Sequence, residues 1–83
     1  MRLTQYVKFR EEKFGGVLFE TRSEKVFTLN TTAAAIVREI VAGRSEPEIA
    51  LRLQERYADQ DGAIGREVVT VISDLRQKGL IED

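Results

Sequence analysis

The sequence contains no cysteine and no histidine. Without cysteine, the chain can form neither a disulfide framework nor a thiolate metal site. Without histidine, it also lacks most zinc sites, the Ser-His and Cys-His nucleophile pairs and the most common general base. We therefore expect a domain that is not an enzyme and that needs no metal or cofactor.

Long uncharged segments and a strong net charge are also missing. The longest stretch without a charged residue, Val26–Val37, has 12 residues, whereas a membrane-spanning helix needs about 20. No apolar signal core follows Met1, so we expect a cytoplasmic protein that does not bind membranes. The 13 basic and 14 acidic residues give a net charge of −1, whereas a duplex-binding domain usually has a basic face.

The chain is long enough for one small domain, which we expect to span residues 1–83. Its beginning follows the pattern of three short β-strands. Tyr6–Glu11 alternates apolar and charged residues, and Val17–Thr21 and Lys25–Leu29 are rich in β-branched and aromatic residues. Connections this short require antiparallel pairing. We interpret Gly15–Gly16 as a plain turn rather than a phosphate loop, because the lysine and hydroxyl residues of a P-loop are absent.

From Asn30 onward, the apolar residues recur with helical spacing. Asn30–Thr32 can cap a first helix that Gly43 ends. A capping box with proline in the first turn, Ser45–Glu48, begins a second helix. A third helix runs from about Gly65 to Lys78 and is ended by Gly79. The residues predicted to face the core are Ala33, Ile36, Val37, Ile40 and Val41, then Ile49, Ala50, Leu53 and Tyr57, then Val68, Val71, Ile72 and Leu75.

The predicted order of elements is therefore β-β-β-α-α-α, an α+β domain in which the helices cover one side of an open sheet. Winged-helix proteins also consist of three helices and a small sheet. A winged-helix DNA-binding regulator is thus the alternative function, with the third helix as the recognition helix. Against it, Glu67 and Asp74 would face phosphate from that helix.

Clustered charges are interpreted as solvated side chains rather than as sites. Glu11–Glu12 and Asp59–Asp61 come without a third convergent group that could complete a metal or acid-base site. Arg52 and Arg56 lie one helical turn apart and could hold a phosphate. Glutamates at helical spacing within the same helix are their more favoured partners.

The third predicted strand is a sheet edge with little protection. Lys25–Asn30 carries a single charge, and no fourth strand is predicted beside it. Such an edge can be covered by a terminal segment or a helix, paired with a second copy in a homodimer, or used to bind a peptide by strand addition. Val69 is an apolar residue just off the buried stripe of the third helix, and its position also suggests that a peptide docks there.

Several short segments between Val7 and Ile81 together make up one pattern of core residues and helix caps. They are Phe14–Phe19, Phe27–Ala33, Gly43, Glu48–Ile49, Leu75 and Gly79–Leu80. This pattern resembles the PqqD-like proteins, the small recognition elements of ribosomally made, post-translationally modified peptides (RiPPs). The opening is more similar to the mycofactocin-associated type than to the pyrroloquinoline-quinone or lasso-peptide types. Ser23–Glu24 differs from the glycine that many members have at this turn.

The resemblance implies a non-catalytic, winged-helix-like domain that binds the leader of a precursor peptide. The leader would add as a strand to the third strand, over a groove shared with the third helix. The domain would then present the precursor to a modifying enzyme, often a radical SAM protein. The residues implied in peptide binding are Lys25, Val26, Phe27, Thr28, Leu29 and Asn30 on the strand and Glu67, Thr70, Val71 and Asp74 on the helix.

Overall fold

The structure is a computed structural model that describes residues 1–58 and 62–83. In chain order its elements are β1 (Arg2–Leu3), β2 (Val7–Glu12), β3 (Gly15–Glu20), β4 (Lys25–Leu29), α1 (Thr31–Val41), α2 (Glu46–Arg56), α3 (Ala63–Gln77) and β5 (Ile81–Glu82). The predicted α+β fold, with an antiparallel sheet followed by helices, is confirmed. Helix α3 begins slightly before the predicted residue. Nothing in the described ranges forms a helix long and apolar enough to cross a membrane.

The main sheet has the strand order β2-β3-β4, and both neighbouring pairs are antiparallel. Leu18 of β3 lies opposite Phe27 of β4, and Gly16 lies opposite Leu29. Strand β4 is therefore an edge strand of this sheet, as the sequence predicted.

A second, smaller sheet that was not predicted from the sequence pairs the two ends of the chain. Strand β1 runs antiparallel to β5, with Arg2 opposite Glu82 and Leu3 opposite Ile81. The Arg2 guanidinium and the Glu82 carboxylate form an ion pair at 3.0 Å. The terminal segments thus pair with each other and do not cover β4.

Gly15 and Gly16 lie within β3, so their prediction as a turn is wrong. The turn falls on Lys13 and Phe14 instead. A β-carbon on Gly15 would lie 2.5 Å from the carbonyl carbon of Asn30, and the residue has a φ of +143°. Glycine is therefore needed here because β3 passes very close to the junction between β4 and α1.

Helix α1 lies between the sheet and the other two helices, and most of its residues are buried. The buried apolar residues are Val7, Leu18, Leu29, Ala33, Ala34, Ala35, Ile36, Val37, Ile40, Ile49, Leu53, Val68, Ile72, Leu75, Leu80 and Ile81. Ala50 and Val71 are half-buried against this core. Val41 and Tyr57 were predicted to be buried but are 58% and 44% exposed. Val41 is the last residue of α1 and Tyr57 caps the end of α2, so neither lies in the buried middle of its helix.

The predicted helix caps are present. The Ser45 side chain accepts from the Glu48 amide while the Glu48 side chain accepts from the Ser45 amide, which completes the capping box. Gly79 has a φ of +71°, and the Leu80 amide donates to the Leu75 carbonyl at 3.0 Å. This is the glycine-ended geometry that brings two apolar side chains together at the end of a helix. The caps therefore fix where α2 begins and where α3 ends.

Candidate functional site

The hydrogen bonds of the main sheet show which side of β3 faces β4. The Thr21 amide donates to the Tyr6 carbonyl at 2.9 Å, which extends the pairing of β2 with β3. Main-chain groups point alternately to the two sides of a strand, so hydrogen-bonded pairs recur at every second residue. Phe19, two residues before Thr21, therefore also faces β2. The main-chain groups of Leu18, the residue before Phe19, point to the opposite side and therefore face β4.

Val26 and Thr28 direct their main-chain groups to the open edge. Leu18 lies opposite Phe27, so Phe27 bonds to β3 and its two neighbours point the other way. Within the described ranges, β4 has no strand partner on that side. The amides and carbonyls of Val26 and Thr28 are therefore available to an incoming extended chain.

The side chains of β4 alternate between the two faces of the sheet. Val26 is 56% exposed and Thr28 is exposed, both on the face turned away from the helices. Phe27 is half-buried and Leu29 is 8% exposed, both on the helix side. Lys25 is exposed at the start of the strand. The strand therefore combines a free backbone edge with one apolar side chain, Phe27, that borders the core.

Asn30 has a structural role at the end of the predicted binding edge. Its side-chain oxygen accepts a hydrogen bond from the Ala33 amide at 2.8 Å. Asn30 is the N-cap of α1, and its side chain is committed to that cap. The cap uses only the side-chain oxygen, and Asn30 is exposed, so it stays a predicted residue of the binding edge.

The predicted helix residues follow one flank of α3. Glu67, Val71 and Asp74 recur at helical spacing, and the same spacing continues to Lys78. Glu67 and Val71 are half-buried, whereas Asp74 is exposed. Thr70 is exposed beside this row. The four predicted residues of the third helix therefore lie on one side of it.

Val69, which had hinted at docking, does not belong to this flank. It is 55% exposed, but its position in the sequence places it about half a turn around α3 from Glu67 and Val71 at 3.6 residues per turn. Its exposure therefore gives no support to a groove between α3 and β4.

Lys78 connects the helix flank with the strand. Its ammonium group lies 2.7 Å from the Asp74 carboxylate and 5.7 Å from the centre of the Phe27 ring. Such a cation above an aromatic face is attractive. The structure thus brings Asp74 and Phe27 to the same region through one side chain. Sequence reasoning did not place Lys78 in the site, although its spacing of four residues from Asp74 indicated an ion pair.

An open cavity of about 530 Å³ lies where the start of β4 meets the end of α3. It is lined by Glu20, Arg22, Ser23, Lys25, Phe27, Lys78, Gly79 and Leu80. The lining combines the apolar residues Phe27 and Leu80 with three basic residues and the acidic Glu20. A side chain of a peptide paired with β4 could therefore be accommodated at this end of the edge.

The turn before β4 is held by Glu20. Its carboxylate accepts from the Ser23 hydroxyl and from the amides of Ser23 and Arg22, the latter two at 2.8 and 3.1 Å. These hydrogen bonds lower the pKa of Glu20 from 4.5 to about 2, and the bond from the Ser23 hydroxyl has the largest effect. Glu24 has a φ of +61°, a conformation that favours glycine. Glycine, which many PqqD-like proteins have at this turn, adopts such a conformation easily. In this chain Glu24 adopts it instead.

Among the described residues, the other charged clusters form ion pairs rather than a site. Arg52 donates to the buried Glu39 carboxylate at 2.6 Å, and Arg44 donates to the same group at 3.1 Å. Arg52 therefore pairs with helix α1 rather than with a glutamate of its own helix, because a buried carboxylate needs charged partners. The two arginines lower the pKa of Glu39, and the hydrogen bond from Arg52 has the largest effect. The pair Asp59–Asp61 lies outside the described residues, and the described ones contain no group of acidic residues that could hold a metal ion.

Glu11–Glu12 is accounted for by neighbouring arginines. Glu11 pairs with Arg38 of α1 at 2.6 Å, and Glu12 pairs with Arg10 at 2.6 Å. Both glutamates therefore form surface ion pairs, which the sequence did not predict.

A comparison with protein families decides the relationship. The family model described as coenzyme PQQ synthesis protein D (PqqD) matches residues 15–81. The chain belongs to the PqqD family. This confirms the family predicted from the sequence, and the match contains both β4 and α3. The mycofactocin-associated subtype stays a prediction, and no curated protein matches the chain significantly.

Two solved structures share the PqqD-like fold over nearly the whole chain. One is described as lasso peptide synthetase B1 complexed with the leader peptide; it is 27% identical, covers 99% of this chain and 96% of its own, and has a TM-score of 0.84. The other is described as TbiB1 in complex with the TbiA(beta) leader peptide; it is 20% identical, with coverages of 99% and 95% and a TM-score of 0.87. The fold therefore extends to β1 and β2, which precede the family match.

Proposed function

We propose that this PqqD-family protein is a RiPP recognition element that binds the leader of a precursor peptide and presents it to a modifying enzyme. The leader adds as an antiparallel or parallel strand to β4, and its side chains lie against the flank of α3. The bound residues are those of the edge, Lys25–Asn30, together with the helix residues Glu67, Thr70, Val71 and Asp74. We add Lys78 to this set because it contacts both elements.

The observation that carries this proposal is the free backbone of β4. Val26 and Thr28 present their main-chain groups away from β3, and no strand of the described residues lies on that side of β4. Backbone pairing gives affinity for an extended peptide, and pockets for alternate side chains give selectivity. The family match and the 27% identical neighbour, which is described as a complex with a leader peptide, support the same role.

We also propose that the protein has no catalytic activity and works in the cytoplasm with a radical SAM enzyme as its partner. The chain has no histidine or cysteine to serve as a base or nucleophile. A leader is disordered when free and loses entropy on docking. The apolar contact with Phe27 and Val71 would offset part of that cost.

The structure gives no reason to favour the DNA-binding alternative. Two basic residues near the end of α3 are engaged, since Arg76 pairs with Asp83 at 3.0 Å and Lys78 pairs with Asp74. A recognition helix needs such cations for phosphate contacts. Retention of generic duplex DNA with a steep salt dependence would be the result in favour of that alternative.

The direct test is an NMR titration of the protein with a synthetic leader of its cognate precursor peptide. We expect the largest amide shifts at residues 25–30 and along α3 at residues 67–74. Shifts concentrated near Arg52 and Arg56, with β4 unaffected, would overturn strand addition even if the peptide bound tightly.

A matched pair of variants separates backbone pairing from side-chain contact. Thr28→Pro removes an amide that faces the open edge and blocks continued pairing, so the Kd of the leader should rise about tenfold or more. Thr28→Ala keeps the amide and should leave the Kd within about twofold, as exposed side-chain changes usually do. Thermal unfolding of both variants checks the fold. If Thr28→Pro does not fold, Val26→Pro tests the second free amide, and equal Kd values for a proline variant and wild type refute the mechanism.

A further inference from the structure

The face of the main sheet that points away from the helices carries an exposed apolar centre. Phe19 of β3 is 38% exposed and lies opposite Val26 of β4, which is 56% exposed. Val17 is half-buried beside them. An open cavity of about 500 Å³ lies over this centre and is lined by Lys8, Arg10, Val17, Phe19 and Val26. We call these five residues the outer-face patch.

Positive charge borders the apolar centre on one side. Lys8 lies opposite Phe19 and Arg10 lies opposite Val17, both on β2. The one carboxylate that follows on the same side of β2 is Glu12, which pairs with Arg10 at 2.6 Å. Of the two cations in the patch, Arg10 is paired with Glu12, whereas Lys8 has no ion-pair partner among the described residues. The natural partner of the patch is therefore apolar and acidic.

A leader bound to β4 cannot fill the outer-face patch. Neighbouring strands lie about 4.8 Å apart, so a strand added to β4 would be about 10 Å from β3 and about 14 Å from β2. Its side chains could contact Val26 but would leave Phe19 and Lys8 uncovered. A second copy is not favoured either, because two such faces would bring cations against cations.

We propose that the outer-face patch is the docking surface for the modifying enzyme, which supplies an apolar segment flanked by carboxylates. This inference rests on the proposed function and adds the location and chemistry of the enzyme contact. The patch is continuous with the leader site, because Val26 and Thr28 have side chains on the outer face and main-chain groups on the edge. A bound leader would widen the same sheet, so the enzyme meets the domain and the peptide side by side.

The test uses the cognate leader peptide and the purified enzyme that modifies its precursor. Phe19→Thr keeps a β-forming residue but removes the ring, and Lys8→Glu reverses one charge. We expect each to weaken enzyme binding by about tenfold or more, as loss of a central aromatic or charged contact does. Leader affinity should stay within about twofold for both, because neither residue lies within reach of the added strand.

Matched controls come from exposed residues elsewhere. Leu51→Gln removes an apolar side chain on α2 that is 58% exposed, and Lys13→Glu reverses an exposed charge in the turn before β3; enzyme binding should not change for either. Enzyme affinity that is the same for Phe19→Thr, Lys8→Glu and wild type overturns the inference. So does a wild-type dimer in sedimentation that Phe19→Thr converts to a monomer, since the face would then bind a second copy.

The failure of this inference can be told apart from failure of the proposed function. If wild type binds the leader with shifts on β4 but the enzyme is insensitive to the patch, only the docking surface is wrong. If wild type does not bind the leader at all, the proposed function is wrong and the inference is overturned with it. Weaker binding of the leader itself to Phe19→Thr, in parallel with the enzyme, would assign the patch to the peptide instead.

Discussion

Replacing Gly15 with alanine tests the close passage of β3 beside the start of α1. Gly15 is buried and has a φ of +143°, a backbone form that residues with a β-carbon rarely adopt. The added methyl group would lie 2.5 Å from the Asn30 carbonyl carbon and would also overlap the Leu29 carbonyl oxygen. Both are backbone atoms, so neither can move aside as a flexible side chain would.

The expected cost follows from these two effects. A strained backbone conformation costs about 1–3 kcal/mol, and insertion of a methyl group into a packed site typically costs about 1–3 kcal/mol. We therefore expect Gly15→Ala to lower the free energy of unfolding by roughly 2–6 kcal/mol. That is a large part of the stability of a domain this small. Urea unfolding followed by circular dichroism measures the change, and failure of the variant to fold would place the cost at or above this range.

Gly43→Ala is the matched control for backbone strain alone. Gly43 has a φ of +86°, but nothing lies within 4 Å of its added β-carbon. Its replacement should cost about 1–2 kcal/mol, the price of the left-handed conformation. If Gly15→Ala costs no more than Gly43→Ala, the argument from backbone contact is refuted, and the passage of β3 must have more room than the structure shows.

Two further predictions concern the core and its buried charge. Leu29→Ala should cost about 2–5 kcal/mol in urea unfolding because it empties a buried site; a change below about 0.5 kcal/mol, typical of exposed sites, would mean that the register of β4 is shifted by one residue. Glu39→Gln should cost about 1–2 kcal/mol at pH 7, because it removes the charge that Arg44 and Arg52 contact. The pKa of Glu39 is lowered in the folded chain, so its contribution is present above the unfolded pKa and is lost as the pH falls. The difference between wild type and Glu39→Gln should therefore begin to shrink as the pH falls below about 4; a difference as large at pH 3 as at pH 7 contradicts the assignment.

Elements with a long periodic pattern were predictable from the sequence. The three helices and their caps follow from apolar spacing and from Ser45, Gly43 and Gly79, because each cap depends on neighbouring residues only. The three long strands follow for the same reason. Strands β1 and β5 could not be predicted, since two residues carry no alternation and their pairing joins opposite ends of the chain.

The candidate site was predictable in outline but not in its connections. An unprotected edge could be inferred at Lys25–Asn30, yet the sequence did not show which amides point outward, because that depends on the register with β3. The contact of Lys78 with Phe27 joins residues far apart in sequence, as does the pairing of Arg52 with Glu39. The role of Gly15 was also hidden, because the backbone that requires it comes from another part of the chain.

The pairing of β1 with β5 bears on the order in which the chain folds. Arg2 and Glu82 are 80 residues apart in sequence, so their contact must offset the entropy of closing nearly the whole chain into a loop. A ladder of two residue pairs has few hydrogen bonds with which to offset that entropy. The Thr4 amide, at the edge of this ladder, donates to the Leu80 carbonyl at 3.0 Å. We therefore expect this ladder to form after the main sheet and to open first under native conditions, with the Thr4 amide exchanging its hydrogen faster than the amides that join β2 to β3.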